Sequence, residues 1–289
     1  MCELSVLMSA RNAEKTIGTA IRSSLRAMQA DSELLVLLDD CSDATEDVVE
    51  RISDSRLRII RSNERLGIPA SRNVLLEESL GKYVAVIDSD DIALPWRFSY
   101  PLRRIRDHDA IFGTAILFGP KLRPFPVRPQ IPASLNPETT KLSLTVANPL
   151  VHSTATIHRS VLRKVGGYTN SIAEDFELWL RIQNSGGEIY RSGLPLIAYR
   201  YHSGQATQQT DYSALMQSDE YFQAQLVKLR QEVARYLCNQ EEWTLEVDAV
   251  VRKKIHELSP WTRLEHVRAP SFVRRWQQRV MRRGRTYLE

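Results

Sequence analysis

The chain has 289 residues, of which 43% are hydrophobic and 26% charged, as is usual for a soluble protein with one large α/β domain or two smaller ones. Its formal net charge of +4 is concentrated at the C-terminal end, because residues 251–289 contribute +8 and the preceding residues carry −4. No apolar run reaches the roughly 18 residues that a membrane-spanning helix needs, which excludes such a helix.

Strands and helices alternate along the first third of the chain. Short apolar runs predict strands at residues 4–8, 34–38, 57–60 and 83–87. Helical spacing predicts helices at residues 13–27 and 44–52, with Asn12 as an N-cap and with Asp43 and Glu46 as a capping box. A further helix is predicted between Pro69, in its first turn, and Gly81, just beyond its end. This alternation predicts a doubly wound, mostly parallel sheet flanked by helices.

Acidic residues follow two of these strands directly. Asp39 and Asp40 follow the second strand, and the run Asp88-Ser89-Asp90-Asp91 follows the fourth. In open α/β sheets, ligands bind at the carboxyl ends of the strands, so both groups lie at the expected ligand edge. Clustered carboxylates repel one another, and Mg²⁺ or Mn²⁺ relieves that repulsion while leaving coordination positions for substrate phosphates. The alternative is that these residues only form solvated turns and helix caps.

Two common phosphate-binding patterns are absent from the sequence. The spaced glycines of a dinucleotide site do not follow the first strand, and the glycine-rich loop that ends in Lys-Ser or Lys-Thr is missing. Any phosphates must therefore be held by a metal ion or by side chains.

The middle of the chain contains weaker patterns. We predict a helix at residues 96–105, a strand at 110–118, a proline-rich basic loop at 121–137 and a strand at 154–157. A short helix ends at Gly166-Gly167, and a longer one opens at Glu174-Asp175 and ends at Gly186. The helix dipole is expected to keep the carboxylate of Asp175 ionised near neutral pH.

The last part of the chain is predicted to be helical and basic. Helical patterns cover residues 212–238 and 241–256, and residues 271–285 combine arginines with an apolar helical face of Phe272, Val273, Trp276, Val280 and Met281. That combination is typical of a helix on an anionic membrane surface. The alternatives are docking on the negatively charged body or on an acidic partner. Nucleic acid is not expected as a partner, because no recognition fold accompanies the arginines.

Three scattered cysteines, Cys2, Cys41 and Cys238, form neither a zinc spacing nor a disulfide framework, which favours a reducing compartment. The N-terminus lacks the basic start and cleavage site of a signal peptide. We therefore expect a cytoplasmic protein, peripheral on the inner face of the cell membrane if its tail binds lipid.

Five blocks in one order carry a resemblance to a known family. They are residues 5–13, 38–42, 67–73, 86–91 and 173–181, with a further block at 199–203. Together they resemble a family two glycosyltransferase with the GT-A fold, over about residues 4–205. The resemblance implies a Rossmann-like, mixed, mostly parallel sheet in residues 1–205, with a nucleotide half at about 1–95 and an acceptor half at about 96–205. Residues 206–289 would form a helical extension.

The resemblance also implies roles for individual residues. It assigns the nucleotide to Ser9, Arg11, Asp40, Arg72, Asp88 and Ser89, a Mn²⁺ or Mg²⁺ ion to Asp90, Asp88 and His202, and the catalytic base to Asp175. Arg11 replaces the family's usual aromatic residue and can stack through its guanidinium plane. For Arg72 the alternative is an ion pair with the Asp88 cluster. His152 is the next candidate base, and the alternative for it is a packed core histidine.

The expected reaction is inverting transfer of a sugar from a nucleotide-diphosphate sugar, with UDP favoured, to a hydroxyl of a sugar or lipid-linked acceptor. Polysaccharide or glycolipid synthesis at the cell surface would use such a step. One base without a carboxylate nucleophile implies inversion. The alternatives are a nucleotidyltransferase and a catalytically silent nucleotide-sugar-binding scaffold.

Overall fold

A mixed sheet is the centre of the protein in the computed structural model, which describes residues 2–119, 127–130, 133–202 and 212–258. Within these residues the sheet has nine strands, in the spatial order β3-β2-β1-β4-β8-β6-β9-β5, with β7 beside β6. The strands are β1 Leu4–Ala10, β2 Ser32–Asp39, β3 Leu57–Ser62, β4 Tyr83–Val86, β5 Ile92–Ala93, β6 Ala110–Phe118, β7 Val127–Pro129, β8 Thr156–His158 and β9 Ile189–Arg200.

The first four strands are parallel, as the sequence predicts. β1 pairs with β2 and β4, and β2 pairs with β3, all in parallel register. β8 then runs antiparallel to both β4 and β6, while β6 and β9 are parallel. The predicted class, a mixed and mostly parallel sheet flanked by helices, is confirmed.

Helices cover both faces of the sheet. They are α1 Ile17–Ala27, α2 Thr45–Glu50, α3 Ile68–Glu78, α4 Ser99–Leu102, α5 Pro137–Leu144, α6 Arg159–Lys164, α7 Glu174–Asn184, α8 Tyr212–Ser218, α9 Glu220–Cys238 and α10 Leu245–Leu258. Alternate residues of each inner strand point to opposite faces. Leu7 packs in the core with α3, α7 and α9, whereas Val6 and Met8 pack in the core with α1.

Two predicted helix caps are wrong, because the side chains concerned bond elsewhere. α1 begins at Ile17, and Asn12 instead adopts a left-handed φ of 49° and accepts a hydrogen bond from the Ser42 amide. Asp43 accepts from the amide and hydroxyl of Thr45, whereas Glu46 pairs with Arg61 in place of closing a capping box.

Gly81 has a different role from the predicted helix end. α3 ends at Glu78, and a Cβ at Gly81 would lie 2.4 Å from the backbone nitrogen of Ser5. A glycine is therefore needed for the close approach of this segment to β1.

The later elements differ more from the prediction. β9 was not predicted as a strand, and it contains Pro195 opposite an irregularity in the register of β6. The predicted helix at 96–105 is a single short helix, α4, followed by a 3₁₀ turn at Ile105–Asp107. The predicted helix at 212–238 is divided, because Asp219 caps a new helix by accepting from the Phe222 amide.

The C-terminal helices pack on the body of the protein. Phe222, Leu226 and Leu229 of α9 lie in the same core as α7, and Val247 and Val251 of α10 pack against Leu142 and Val233. No helix in the described ranges is long and apolar enough to cross a membrane. The division at residue 205 stays a prediction. The predicted lipid-binding residues 271–285, and most of the predicted loop 121–137, lie outside the described residues.

Candidate active site

The two acidic groups lie at the same edge of the sheet, where β2 and β4 end. Their members nevertheless have different surroundings. Asp39 is buried, and its two oxygens accept hydrogen bonds from the amides of Leu66 at 2.7 Å and Gly67 at 3.0 Å. Asp39 therefore anchors the loop before α3, and Asp40 is the acid that remains available at this strand end.

Asp40 and Arg11 face each other across the ends of β2 and β1. Asp40 has a left-handed φ of 48°, and its Oδ2 lies 3.6 Å from Nη2 of Arg11. Both side chains are exposed, by 47% and 39% respectively. An exposed pair of this kind adds little stability, so both groups are available to a ligand. Ser9 is half-buried at the end of β1, beside Leu37 of β2.

Arg72 connects the nucleotide half to the acceptor half. Its guanidinium forms a close ion pair with Glu174 and lies 3.6 Å from Oδ1 of Asp88. It also lies 5.4 Å from the ring centroid of Tyr168. Burial opposes its charge, but Glu174, Tyr168 and Asp88 together raise the pKa of Arg72 above its ordinary value. The predicted ion pair of Arg72 with the Asp88 cluster is therefore present, and Glu174 on α7 is a second partner that the sequence did not indicate.

His152 lies between Tyr168 and Asp88. Its Nε2 lies 3.0 Å from the hydroxyl of Tyr168, and its Nδ1 lies 4.0 Å from Oδ1 of Asp88. Burial, together with the charges of Arg72 and Arg97, lowers the pKa of His152 well below its ordinary value. The imidazole is therefore neutral and held between Tyr168 and Asp88, which favours the packed-histidine alternative over a role as base.

The Asp88 segment rests on a fully buried arginine. Arg97 donates hydrogen bonds to the carbonyl oxygens of Val86 and Ala155, both at 2.8 Å, and of Ser153 at 3.1 Å. Removal from water lowers its pKa to about 9. Ser153 in turn donates to Oδ2 of Asp88 at 2.7 Å and accepts from the Asp88 amide. This chain of contacts fixes the orientation of Asp88.

Asp90 is paired with His202. Its Oδ2 lies 2.9 Å from Nε2 of His202. Burial and the neighbouring Asp88 raise the pKa of Asp90, against the opposing effect of His202. Asp91 is fully buried and accepts from the amide of Arg200, so it supports the turn. Ser89 is half-buried between these acids.

The chemistry of this group suits a hard divalent cation. The carboxylates of Asp88 and Asp90 are ligands that Mn²⁺ and Mg²⁺ accept, and a bound cation would relieve the repulsion that raises the pKa of Asp90. Among the residues that the structure describes, no group of three or more His, Cys, Asp or Glu side chains is placed so that it could hold a metal ion. Two carboxylates alone would hold a cation that takes its other ligands from water and substrate phosphates.

Asp175 lies in the first turn of α7, as the sequence predicts. Its Oδ1 accepts from the amide of Phe176 at 2.6 Å, and its Oδ2 lies 3.5 Å from Nδ2 of Asn148. Burial and the neighbouring charge of Glu174 raise its pKa to about 7, while Arg72 opposes the rise. The expectation that the helix dipole would keep this carboxylate fully ionised is therefore wrong. A pKa near neutrality is well suited to a general base.

Several contacts of the site have no strong signal in the sequence. Asn148 beside Asp175, Ser153 beside Asp88, and Tyr168 beside Arg72 and His152 were not assigned to the site. Arg200 lies within one of the family blocks, and its Nε donates to the carbonyl oxygen of Asp90 at 2.9 Å. Their roles depend on which distant segment each one meets.

Comparison with known proteins agrees with this architecture. The chain is 25% identical over 201 residues, 70% of this chain and 78% of the relative, to the Escherichia coli UDP-Glc:alpha-D-GlcNAc-diphosphoundecaprenol beta-1,3-glucosyltransferase WfaP. It is 26% identical over 200 residues to the putative glycosyltransferase EpsE of Bacillus subtilis, covering 64% of this chain and 68% of EpsE.

A solved structure shares the fold. The crystal structure of S. aureus TarS 1-349 in complex with UDP-GlcNAc matches with a TM-score of 0.61 and 18% identity, over 88% of this chain and 72% of that one. The family model for glycosyl transferase family 2 matches residues 5–166, more than half of the chain. The sequence match, the shared fold and the acids at the strand ends agree, and the chain therefore belongs to glycosyl transferase family 2.

Proposed function

We propose that this protein is an inverting glycosyltransferase that moves a sugar from a nucleotide-diphosphate sugar to a hydroxyl of a sugar or lipid-linked acceptor. The observation that carries the proposal is Asp175, a carboxylate whose pKa is raised to about 7 and which is connected through Glu174 and Arg72 to Asp88 at the strand ends. In this arrangement the base and the strand ends at which the nucleotide would bind belong to one site.

The relatives support the substrate classes. WfaP is named for UDP-Glc and a diphosphoundecaprenol-linked GlcNAc, and TarS 1-349 was solved with UDP-GlcNAc. We therefore favour a UDP-sugar as donor and a lipid-linked glycan as acceptor, in the synthesis of a cell-surface polysaccharide or glycolipid. Ser9, Arg11 and Asp40 would bind the nucleoside, since they surround the exposed ends of β1 and β2.

The chemical step needs one base. The acceptor hydroxyl oxygen forms a bond to the anomeric carbon as the bond from that carbon to the diphosphate oxygen breaks. The hydroxyl proton passes to Oδ2 of Asp175, because Oδ1 already accepts the Phe176 amide. The nucleoside diphosphate leaves with the bonding electrons. A single displacement without a carboxylate nucleophile inverts the configuration at the anomeric carbon.

A divalent ion belongs to the proposal. Asp90, His202 and Asp88 would hold Mn²⁺ or Mg²⁺, and such an ion, when bound, neutralises charge that develops on the leaving diphosphate. Arg72 and Arg200 lie beside these acids and orient them.

A membrane location is part of the same proposal, because a lipid-linked acceptor would lie in a membrane. The sequence of residues 271–285 combines arginines with apolar residues at helical spacing, a pattern that suits an anionic lipid surface. The enzyme would then be cytoplasmic and peripheral on the inner face of the cell membrane.

A donor panel tests the function. Purified protein with Mn²⁺ or Mg²⁺ is incubated with UDP-, GDP- and dTDP-sugars, with and without lipid-linked or free glycan acceptors, and release of nucleoside diphosphate is measured. We expect release with a UDP-sugar, and we expect Asp175→Asn to lower that rate by at least about 10²-fold. Binding without turnover for every donor would favour the silent scaffold. Formation of a nucleotide sugar from a sugar phosphate and a nucleoside triphosphate would favour the nucleotidyltransferase.

A further inference from the structure

The start of α7 has no cap of its own. Ala173 occupies the N-cap position, and its side chain makes no capping hydrogen bond. The first turn is instead held by side chains from elsewhere in the chain. Asp219 accepts from the Ile172 amide and the Ser171 hydroxyl, both at 2.7 Å, and Arg72 pairs with Glu174. The place of the first turn therefore depends on these distant contacts.

The ion pair between Arg72 and Glu174 is well shielded from water. The side chains are 10% and 17% exposed, and 102 positions separate them in the sequence. The guanidinium is further fixed by Asp88 and by the ring of Tyr168. A pair in this setting has a defined geometry, unlike an exposed pair, whose side chains remain mobile.

A second contact fixes α3 against the segment that leads to α7. Asn73, the neighbour of Arg72, accepts from the amide and donates to the carbonyl of Tyr168, both at 2.8 Å. Gly167 has a φ of +70°, and a Cβ there would lie 2.5 Å from Oδ1 of Asn73. Arg72 therefore reaches Glu174 from a helix whose position relative to this segment is already set.

The orientation of Asp175 follows from the same turn. Its Oδ1 is bonded to the next amide of the helix, so the direction of Oδ2 is set by the path of the backbone at residues 174–176. Nδ2 of Asn148 lies 3.5 Å from Oδ2. A displaced first turn would move Oδ2 relative to the acceptor without removing any atom of the base.

We propose that Glu174 is a positioning residue for glycosyl transfer, and that its ion pair with Arg72 holds the first turn of α7 so that Oδ2 of Asp175 faces the acceptor hydroxyl. This inference rests on the proposed function, in which Asp175 is the base. Glu174 acts through Asp175 and contacts neither donor nor acceptor. A displacement of about 1 Å is enough to lower turnover by about 10²-fold.

The test compares Glu174→Gln with a matched control. Glu138 is also a first-turn glutamate, but it opens α5 and is exposed. We expect Glu174→Gln to lower kcat by about 10- to 100-fold with little change in the KM for the donor, and Glu138→Gln to change neither. Since Glu174 helps to raise the pKa of Asp175, its removal should also move the acid limb of the kcat profile to lower pH.

A double-mutant cycle then decides whether Glu174 acts through Asp175. In the Asp175→Asn background, Glu174→Gln should have almost no further effect on the residual rate. Equal losses in both backgrounds would overturn the inference, as would a Glu174→Gln enzyme with the wild-type kcat and acid limb. If wild-type protein transferred no sugar from any donor, the proposed function would fall, and this inference with it.

Hydrogen exchange separates local displacement from loss of fold. The Phe176 amide, bonded to Asp175, should exchange faster in Glu174→Gln, while the amide of the buried Leu180 stays protected. Unchanged exchange at Phe176 would contradict the positioning role. If Glu174→Gln does not fold, Glu174→Asp, which keeps the charge but shortens the side chain, is judged by kcat and by exchange at Phe176, and a wild-type value of both would overturn the inference.

Discussion

The rate of sugar transfer should depend on the ionisation of Asp175. Burial and the neighbouring Glu174 raise its pKa from 3.8 to about 7, so its carboxylate is only half ionised at neutral pH. Because only the ionised form accepts a proton, kcat should rise as the pH rises through 7. For a single group of this pKa, the ionised fraction is about tenfold larger at pH 8 than at pH 6.

Asp175→Asn removes the base and the titrating group together. We expect kcat to fall by at least about 10²-fold, the lower end of the range for general base catalysis, and the residual rate to lose the acid limb. The affinity for nucleoside diphosphate should hardly change, because Asp175 lies on the acceptor side. Stopped assays of UDP release between pH 5.5 and 9, in buffers of constant ionic strength, measure both effects.

The same substitution should change stability in a direction that the raised pKa fixes. Between pH 4 and 7 the folded state binds a proton at Asp175 more tightly than the unfolded state, so this group's stabilising effect is present at low pH and lost as the pH rises through 7. Asn carries no charge, and Asp175→Asn should therefore unfold at a higher temperature than wild type at pH 8.

An Asp175→Asn variant with the wild-type kcat, or a wild-type enzyme whose kcat profile has no acid limb near pH 7, would refute the reasoning.

Three further outcomes are expected. Binding of UDP should require Mn²⁺ or Mg²⁺ and should weaken strongly in Asp90→Asn, because a cation relieves the repulsion at this acid; calorimetry that gives equal affinity with a chelator present would contradict this. Truncation before residue 271 should release the protein from anionic liposomes in a sedimentation assay without reducing donor hydrolysis, and full-length protein that ignores the vesicles would argue against lipid binding. Gly167→Ala should lower the free energy of unfolding by about 1–3 kcal/mol in chemical denaturation, because the φ of +70° and the contact with Asn73 both disfavour a Cβ. Gly186→Ala is the control for the positive φ alone, because a Cβ at Gly186 would have open space around it. Equal losses of stability in the two variants would show that the contact with Asn73 adds nothing.

Much of the nucleotide half follows from local sequence. Apolar runs of four to eight residues and the helices between them specify β1 to β4, because strand and helix periodicity are properties of neighbouring residues. The acids at Asp40 and Asp88 were expected at one edge because parallel strands end together. Asp175 was expected at a helix start, and α7 begins at Glu174.

Tertiary structure decided the chemistry of these residues. Asp39 and Asp40 are adjacent and identical, yet one is bonded to the amides of Leu66 and Gly67 and the other faces Arg11. The pKa of Asp175 is also higher than the helix dipole alone led us to expect. Burial and the charge of the adjacent Glu174 outweigh the dipole, and burial is a quantity that a local pattern does not contain.

The partners of Arg72 show the same limit most clearly. The sequence indicated that this arginine belongs near the Asp88 cluster, and it does lie 3.6 Å from Asp88. Its closer partner is Glu174, which 102 positions separate from it. The sequence by itself determined the first four strands, the helices between them and the charged residues at their ends. Only the packing of α3 against the start of α7 decided which of those charges meet, because ion pairs depend on distances that chain folding sets.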